Sequence, residues 1–327
     1  MRSDSVYCGN RTGSSPLRRV AVLLAAAFWL LLSSGLAQGA DIKVDCSNAK
    51  AKVNTITGAL AQLSKTAENT IHVSGTCNES VWIEHFESLN LLANPGASIN
   101  DPTPSLQDEN DVIDIYDSGS VTVDGFTING GVYGVACIRT RFCYVRNTTV
   151  QGASESGVIA TGSSNLYLEA DTIQDNTWAG VEASRAPILR SMGGTIQHND
   201  TGVSISAGST LTLSKSMSGD ALTIKDNTSA GVAADTNSTV TLWAGTTTIS
   251  SNGEVGISLK AGSVADIRGG NTIAGGATGA VFVGDLSLAR FGPGNTVTGG
   301  PPAVNCTGKY PVAIGLENLP GIETNCP

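Results

Sequence analysis

Beyond residue 40 the sequence has no apolar run long enough to cross a bilayer, so that part of the chain offers no membrane helix. It is also poor in basic residues. Of the 19 Lys and Arg, four arginines (Arg2, Arg11, Arg18, Arg19) lie in the first forty residues, and of the 28 acids only Asp4 does. The remainder carries 15 basic against 27 acidic residues, about −12, which argues against nucleic acid or an anionic membrane surface as partner. There is no CxxC pair, and the three histidines, His72, His85 and His198, stand apart from the cysteines. That excludes a zinc-type site of the usual spacing. His198 sits beside Asn199 where other copies of the repeat have Asp175, Asp226 and Ser251, so it reads as a turn residue.

The one long apolar run, Val20 to Leu32, follows those arginines and is followed by small residues ending at Ala40. That order predicts a signal peptide over residues 1–40 and a secreted or periplasmic protein, a monomer, over 41–327. Seven cysteines are present, and Cys8 lies in the leader. The other six suggest disulfides in an oxidising compartment, with sequence proximity favouring Cys46–Cys77, Cys137–Cys143 and Cys306–Cys326.

What the sequence does have is a repeat. An apolar residue after Thr recurs at Ile128, Val150, Ile173, Ile196, Ile224, Ile249, Ile273 and Val297, at spacings of 22, 23, 23, 28, 25, 24 and 24. Glycines follow in step at Gly134, Gly157, Gly180, Gly202, Gly231, Gly256 and Gly279. Spacing this regular means one supersecondary unit copied along an axis. Each unit holds three short stretches that alternate apolar and polar, as in "TIQ", "GVEA" and "NLYLE", which is strand periodicity. Three strands and three turns in about 23 residues leave no room for a crossover helix. The expected fold is therefore all-β, a parallel β-helix with three strands per coil, each strand stacking on its equivalent about 4.8 Å along the axis. Val181, Val203 and Val232 should form one inward ladder, and Leu168, Leu213 and Leu242 another. A leucine-rich horseshoe lacks its leucine frame here.

Over roughly residues 42–315 this pattern resembles the right-handed parallel β-helix superfamily with the pectin-lyase-like fold, in its exported bacterial form. The resemblance implies an N-terminal cap and first coil over 41–80, coils over 81–303, and a C-terminal cap over 304–327. Within the first, a capping helix is expected near Asn54–Glu68, with Ile56, Leu60, Leu63 and Ala67 on one face. It also implies Asn side chains hydrogen-bonded along the axis. From the sequence, the column Gly131, Ala153, Asn176, Asn199, Asn227, Asn252, Gly276 and Gly300 suggests a shared need for positive φ.

Three groups of residues could carry function. Asp101, Asp108, Glu109, Asp111, Asp114 and Asp117 cluster in and after "NDPTPSLQDEND". By resemblance to polysaccharide lyases of this fold, Asp111, Asp114 and Asp117 are candidate ligands for Ca²⁺, with Arg139 or Arg185 as candidate catalytic base. Counting from the glycines places Arg139, Gly162, Arg185 and Ala207 on one edge, and Trp178, Glu182, Glu155 and Asp200 on the same lateral surface. A flat ring flanked by charges suits a sugar face. The polygalacturonase motifs (Asn-Thr-Asp, Asp-Asp, Gly-His-Gly, Arg-x-Lys), the pectin methylesterase blocks and the Asp-Pro-His-Glu block of alginate epimerases are all absent. The leading expectation is polysaccharide binding along one face without a recognisable catalytic set. Cleavage of a uronate polysaccharide by lyase or hydrolase chemistry is the alternative, and a non-catalytic adhesin-like or envelope rod the third.

Overall fold

The computed structural model describes residues 39–103, 110–185 and 187–327. The expected leader lies outside these apart from Gly39 and Ala40, as do Asp108 and Glu109. Short Val-, Ile- and Thr-rich segments with alternating burial form three parallel sheets, of 12, 10 and 10 strands, wound as a solenoid. We number them sheet 1 (Asp41–Asp45 through Val312–Ile314), sheet 2 (Val81–Glu84 through Val304–Cys306) and sheet 3 (Thr76–Asn78 through Thr296–Thr298).

The repeat read from the sequence is the register of the sheets. Ile128, Val150, Ile173, Ile196, Ile224, Ile249, Ile273 and Val297 pair successively down sheet 3. Val181, Val203 and Val232 stack in sheet 2, fully buried. Leu168, Leu213 and Leu242 lie in one column of sheet 1, with buried Ser191 between the first two. The 28-residue spacing after Ile196 comes from an excursion at Lys215–Ala221, where Met217 stands 81% exposed and Ser216 and Asp220 close the turn on themselves.

The hydrogen-bonded Asn column that the resemblance implies is present, but the shared positive φ holds only for its glycines Gly131 (78°) and Gly300 (45°). Positive φ belongs to the preceding residue, Asp175, His198, Asp226 or Ser251, at 53–57°. The asparagines themselves are buried and bridge coils: Asn176 Nδ2 donates to Asn199 Oδ1 (2.9 Å), Asn199 to Asn227 (3.1 Å) and Asn227 to Asn252 (2.9 Å). Each Oδ1 also accepts the backbone N–H of the previous coil, as in Asn176 N to Asn199 Oδ1 at 3.1 Å. Amide chemistry therefore selects Asn, and tolerance of the left-handed region selects its neighbour. His198, at φ 55°, is the turn residue its column suggested. The glycine of the next strand follows from the ladder. A Cβ on Gly180 would stand 2.8 Å from Asn199 Nδ2 and 2.6 Å from Ile196 Cγ2, so only hydrogen fits.

Two expectations about the ends change. The capping helix runs only from Ile56 to Leu60, not to Glu68, because the chain turns at Gln62–Lys65 and Glu68 begins a sheet 1 strand. Its apolar face still covers the core through Ile56 and Leu60, and Ala67 is buried beyond it. Thr55 caps it, and the Glu79 carboxylate of the next coil accepts from the N–H groups of Ile56 and Thr57. At the other end, stacking continues past residue 304, since Val304–Cys306 and Val312–Ile314 keep strand alternation and extend sheets 2 and 1. All three disulfides join the pairs favoured by proximity.

Replacing Asn199 by Ala removes an acceptor used by two donors and strands buried N–H groups. We expect a loss of at least ~2 kcal/mol in denaturant-induced unfolding. A change under ~0.5 kcal/mol would show that the ladder does not bind the coils together.

Candidate functional site

Sheet 2 points alternate side chains outward, and the outward positions of its first coils hold what the later coils lack. In register these are Trp82 and Asp114, then Ala136, Ile159 and Glu182, and one step along the strand Glu84 and Tyr116. Trp82 is 56% exposed and stacks on Tyr116 at 6.0 Å between centroids. The Arg139 guanidinium lies over the other ring at 4.0 Å and is held by Asp117 in a two-point pair, Nε–Oδ1 at 2.7 Å and Nη2–Oδ2 at 3.0 Å. The Cys137–Cys143 disulfide closes the turn carrying Arg139, and a Cβ on Gly162 would come within 2.8 Å of Arg139 Cγ. Glycine at 162 thus gives the arginine stem its path.

Beside Trp82 opens a cleft of about 100 Å³ lined by Ser80, Val81, Trp82, Asn110, Asp111 and Asp114. Ser80 Oγ and Asp114 Oδ1 are buried there without a hydrogen-bond partner among the described residues. Burial pushes the Asp111 carboxyl up to about 7, with the Asp114 and Glu155 charges adding to it against a hydrogen bond from Tyr133 N–H. Burial and then the Glu84 charge push Asp114 up to about 6. Next to the cleft, Tyr133 donates its hydroxyl to Glu155 Oε2 at 2.7 Å, and burial with that bond raises the phenol above its usual range. Ser156 Oγ donates to Glu182 at 3.0 Å.

The residues predicted for one surface do share it. Backbone bonds order Val132, Glu155, Trp178 and Thr201 along the turn before sheet 2, with Asp200 adjoining. Glu155 and Glu182 are engaged by Tyr133 and Ser156, while Trp178 stands 50% exposed. Arg139 and Arg185 occupy one left-handed turn column with Gly162, but only Arg139 is in an ion pair among the described residues. Asp111, Asp114 and Asp117 do not gather their oxygens at one point, because Asp117 is turned to Arg139. Among the described residues the one close trio of ligand-type side chains is Cys46, Cys77 and Glu79, whose sulfurs are bonded to each other. Sequence reasoning missed Trp82, Tyr116, Tyr133 and Ser80. The signal was available in "VWIE" and "IDIY", whose alternation puts Trp82, Asp114 and Tyr116 outward.

A family model described as "Right handed beta helix region" matches residues 106–246. The protein is a right-handed parallel β-helix repeat protein. Among solved structures, the β-helix is similar to the A-module of mannuronan C-5 epimerase AlgE4 from Azotobacter vinelandii. The two are 13% identical, aligned over 92% of this chain and 94% of that one with a TM-score of 0.47, a likeness of chain path alone. No curated protein matches the β-helix in sequence.

Asp111 gives this cleft a pH signature. An acid raised in the folded state binds more protons folded than unfolded between the two pKa values, so stability falls as pH rises from about 4 to about 7. Relative to wild type, Asp111→Asn should flatten the Tm-against-pH curve over that window. It should stabilise by on the order of 1 kcal/mol at about pH 8, discounted for the cleft's opening to water. An unchanged curve would place Asp111 in bulk water.

Proposed function

We propose that this β-helix is an exported protein that binds a hydroxyl-rich glycan along sheet 2, with Trp82 as the platform. The observation that carries the reading is the pairing of an exposed, tyrosine-backed Trp82 with two buried polar atoms in the cleft beside it, Ser80 Oγ and Asp114 Oδ1, that lack partners among the described residues. Buried polar groups normally have partners, so these two mark where water or a ligand belongs. A sugar's C–H face packs on the indole while its hydroxyls donate to a carboxylate and exchange bonds with Ser80. At about 100 Å³ the cleft takes a hydroxyl or hydroxymethyl arm rather than a whole ring, leaving the ring over Trp82. Trp178 lies four sheet 2 coils further along, roughly 19 Å. It supplies a second contact for an extended chain. Three disulfides accord with export, since such bonds persist in oxidising compartments, and among the described residues no helix is long and apolar enough to cross a membrane.

Retardation in affinity gels containing neutral glycans tests this. Trp82→Ala should weaken binding to the retained glycan at least about tenfold, consistent with loss of one stacked ring and its packing area, and Trp178→Ala should weaken it less. Retardation that survives Trp82→Ala contradicts the reading.

The raised carboxyls of Asp111 and Asp114 in one cleft favour a second reading, acid–base cleavage of a bound glycan. Arg139 is a poor candidate for the base, because Asp117 and Tyr116 hold its guanidinium. This reading predicts new reducing ends from some member of a polysaccharide panel, lost in both Asp111→Asn and Asp114→Asn. A panel without turnover removes it and leaves the binding reading intact.

A further inference from the structure

Sheet 1 presents a second, oppositely charged face that the sheet 2 site does not use. From the Phe142–Arg146 strand onward, its outward residues open with an aromatic cluster in which Tyr144 and Tyr167 stack at 4.9 Å and Phe142 lies 6.3 and 6.4 Å from them. Guanidinium groups cover these rings: Arg141 over Phe142 at 5.2 Å, Arg146 over Tyr144 at 4.9 Å and Arg190 over Tyr167 at 5.7 Å. Further along, Arg268 lies over the 46% exposed Trp243 at 3.9 Å, and Arg290 follows on the next strand of the sheet. Between the two clusters lies a shallow groove of about 320 Å³ lined by Arg190, Met192, Thr212, Ser214 and Trp243.

From the Phe142–Arg146 strand onward the charge balance of this face is the reverse of the chain's. Five of the seven arginines in residues 39–327 are on it (Arg139 and Arg185 are the others), in a stretch that carries 15 basic against 27 acidic residues. From the Phe142–Arg146 strand onward its acids are Glu169 and Asp266, at 3.9 Å from Arg146 and 3.3 Å from Arg268. Arg190 and Arg290 have no ion pair among the described residues, and both are exposed. Guanidinium planes stacked on rings are held in place while keeping N–H groups free for carboxylate or sulfate oxygens. Tyr144 to Arg290 spans six strand steps, about 29 Å at the usual interstrand spacing. That step is comparable to one sugar residue of a linear polysaccharide, so charged groups repeated along such a chain can meet arginines repeated along the sheet.

We infer that the outer face of sheet 1 is a binding track for a linear polyanionic glycan running along the solenoid axis. Carboxylate or sulfate groups pair with Arg141, Arg190 and Arg290, and the sugar rings lie along the groove against the exposed part of Trp243. Nucleic acid is disfavoured by the acidity of the whole chain and by the oxidising compartment that the disulfides indicate. The inference does not depend on the sheet 2 reading.

The test is gel retardation of the full chain by polygalacturonate (carboxylate arm), by chondroitin sulfate (sulfate and carboxylate) and by neutral dextran, with duplex DNA as a further probe. Polyanion retardation is expected to fall with added salt, and the Arg190→Ala/Arg290→Ala variant should bind at least about tenfold more weakly with unchanged circular dichroism and Tm. Trp82→Ala should leave it intact, and the preferred arm names the acidic group. The inference is overturned if neither polyanion retards the protein, if the double variant binds as wild type, or if DNA alone is bound. It is also overturned if Trp82→Ala abolishes polyanion binding while the double variant retains it, which would move the site to sheet 2. A concentration-dependent dimer broken by the double variant would instead assign the face to a second copy.

Discussion

A coil of about 23 residues cannot satisfy its own backbone. Every strand of this protein is short, and its N–H and C=O groups find partners only in the coils above and below. Stacking in register is therefore the condition for every other feature, and the Asn176–Asn199–Asn227–Asn252 ladder enforces it at the turn before sheet 2. The ladder fixes what can stand next to it. A left-handed residue precedes each Asn of the ladder, and the strand that follows carries a glycine as its second residue, because an amide from the adjacent coil fills the place of its Cβ. The "N…G" grammar of the sequence is the imprint of that packing.

Because every coil is held at the same pitch, side chains at equivalent outward positions become rows. Sheet 2 gathers carboxyls and tryptophans: Asp111, Asp114 and Glu155 around Trp82, with Glu182 and Trp178 further along. Burial in the cleft, with neighbouring carboxylate charge adding to it, keeps two of these acids protonatable near neutrality, and makes that face suited to hydroxyls rather than to anions. Sheet 1 gathers arginines on aromatic rings. One regular scaffold thus carries two faces of opposite sign, separated by a turn column that holds Arg139 on Tyr116 and Asp117.

Most of the fold was legible because a solenoid writes its register into its period. The sheet 3 column could be aligned by eye, and the inward ladders and disulfide pairs followed from it. The site was only partly legible. Counting from the glycines put Trp178, Glu182, Glu155 and Asp200 on one surface, but the first coils have no such glycine, so Trp82, Tyr116 and Ser80 fell outside the alignment. The pairing of Arg139 with Asp117 was also hidden, because the two are 22 residues apart and meet only through the coil register. The extent of the capping helix was misjudged for a different reason. Helical spacing of Ile56, Leu60, Leu63 and Ala67 is equally satisfied by one turn of helix followed by a tight bend.

The claim on which the functional account turns is that the Trp82 cleft receives a sugar. The most direct measurement is a crystal structure of the protein soaked with an oligosaccharide of a glycan that retards it. The account predicts a pyranose ring against the Trp82 indole, with a hydroxyl within hydrogen-bonding distance of both Asp114 Oδ1 and Ser80 Oγ, the two buried atoms that lack partners among the described residues. An ordered saccharide bound elsewhere, with Trp82 still bare and the cleft holding only water, would contradict it.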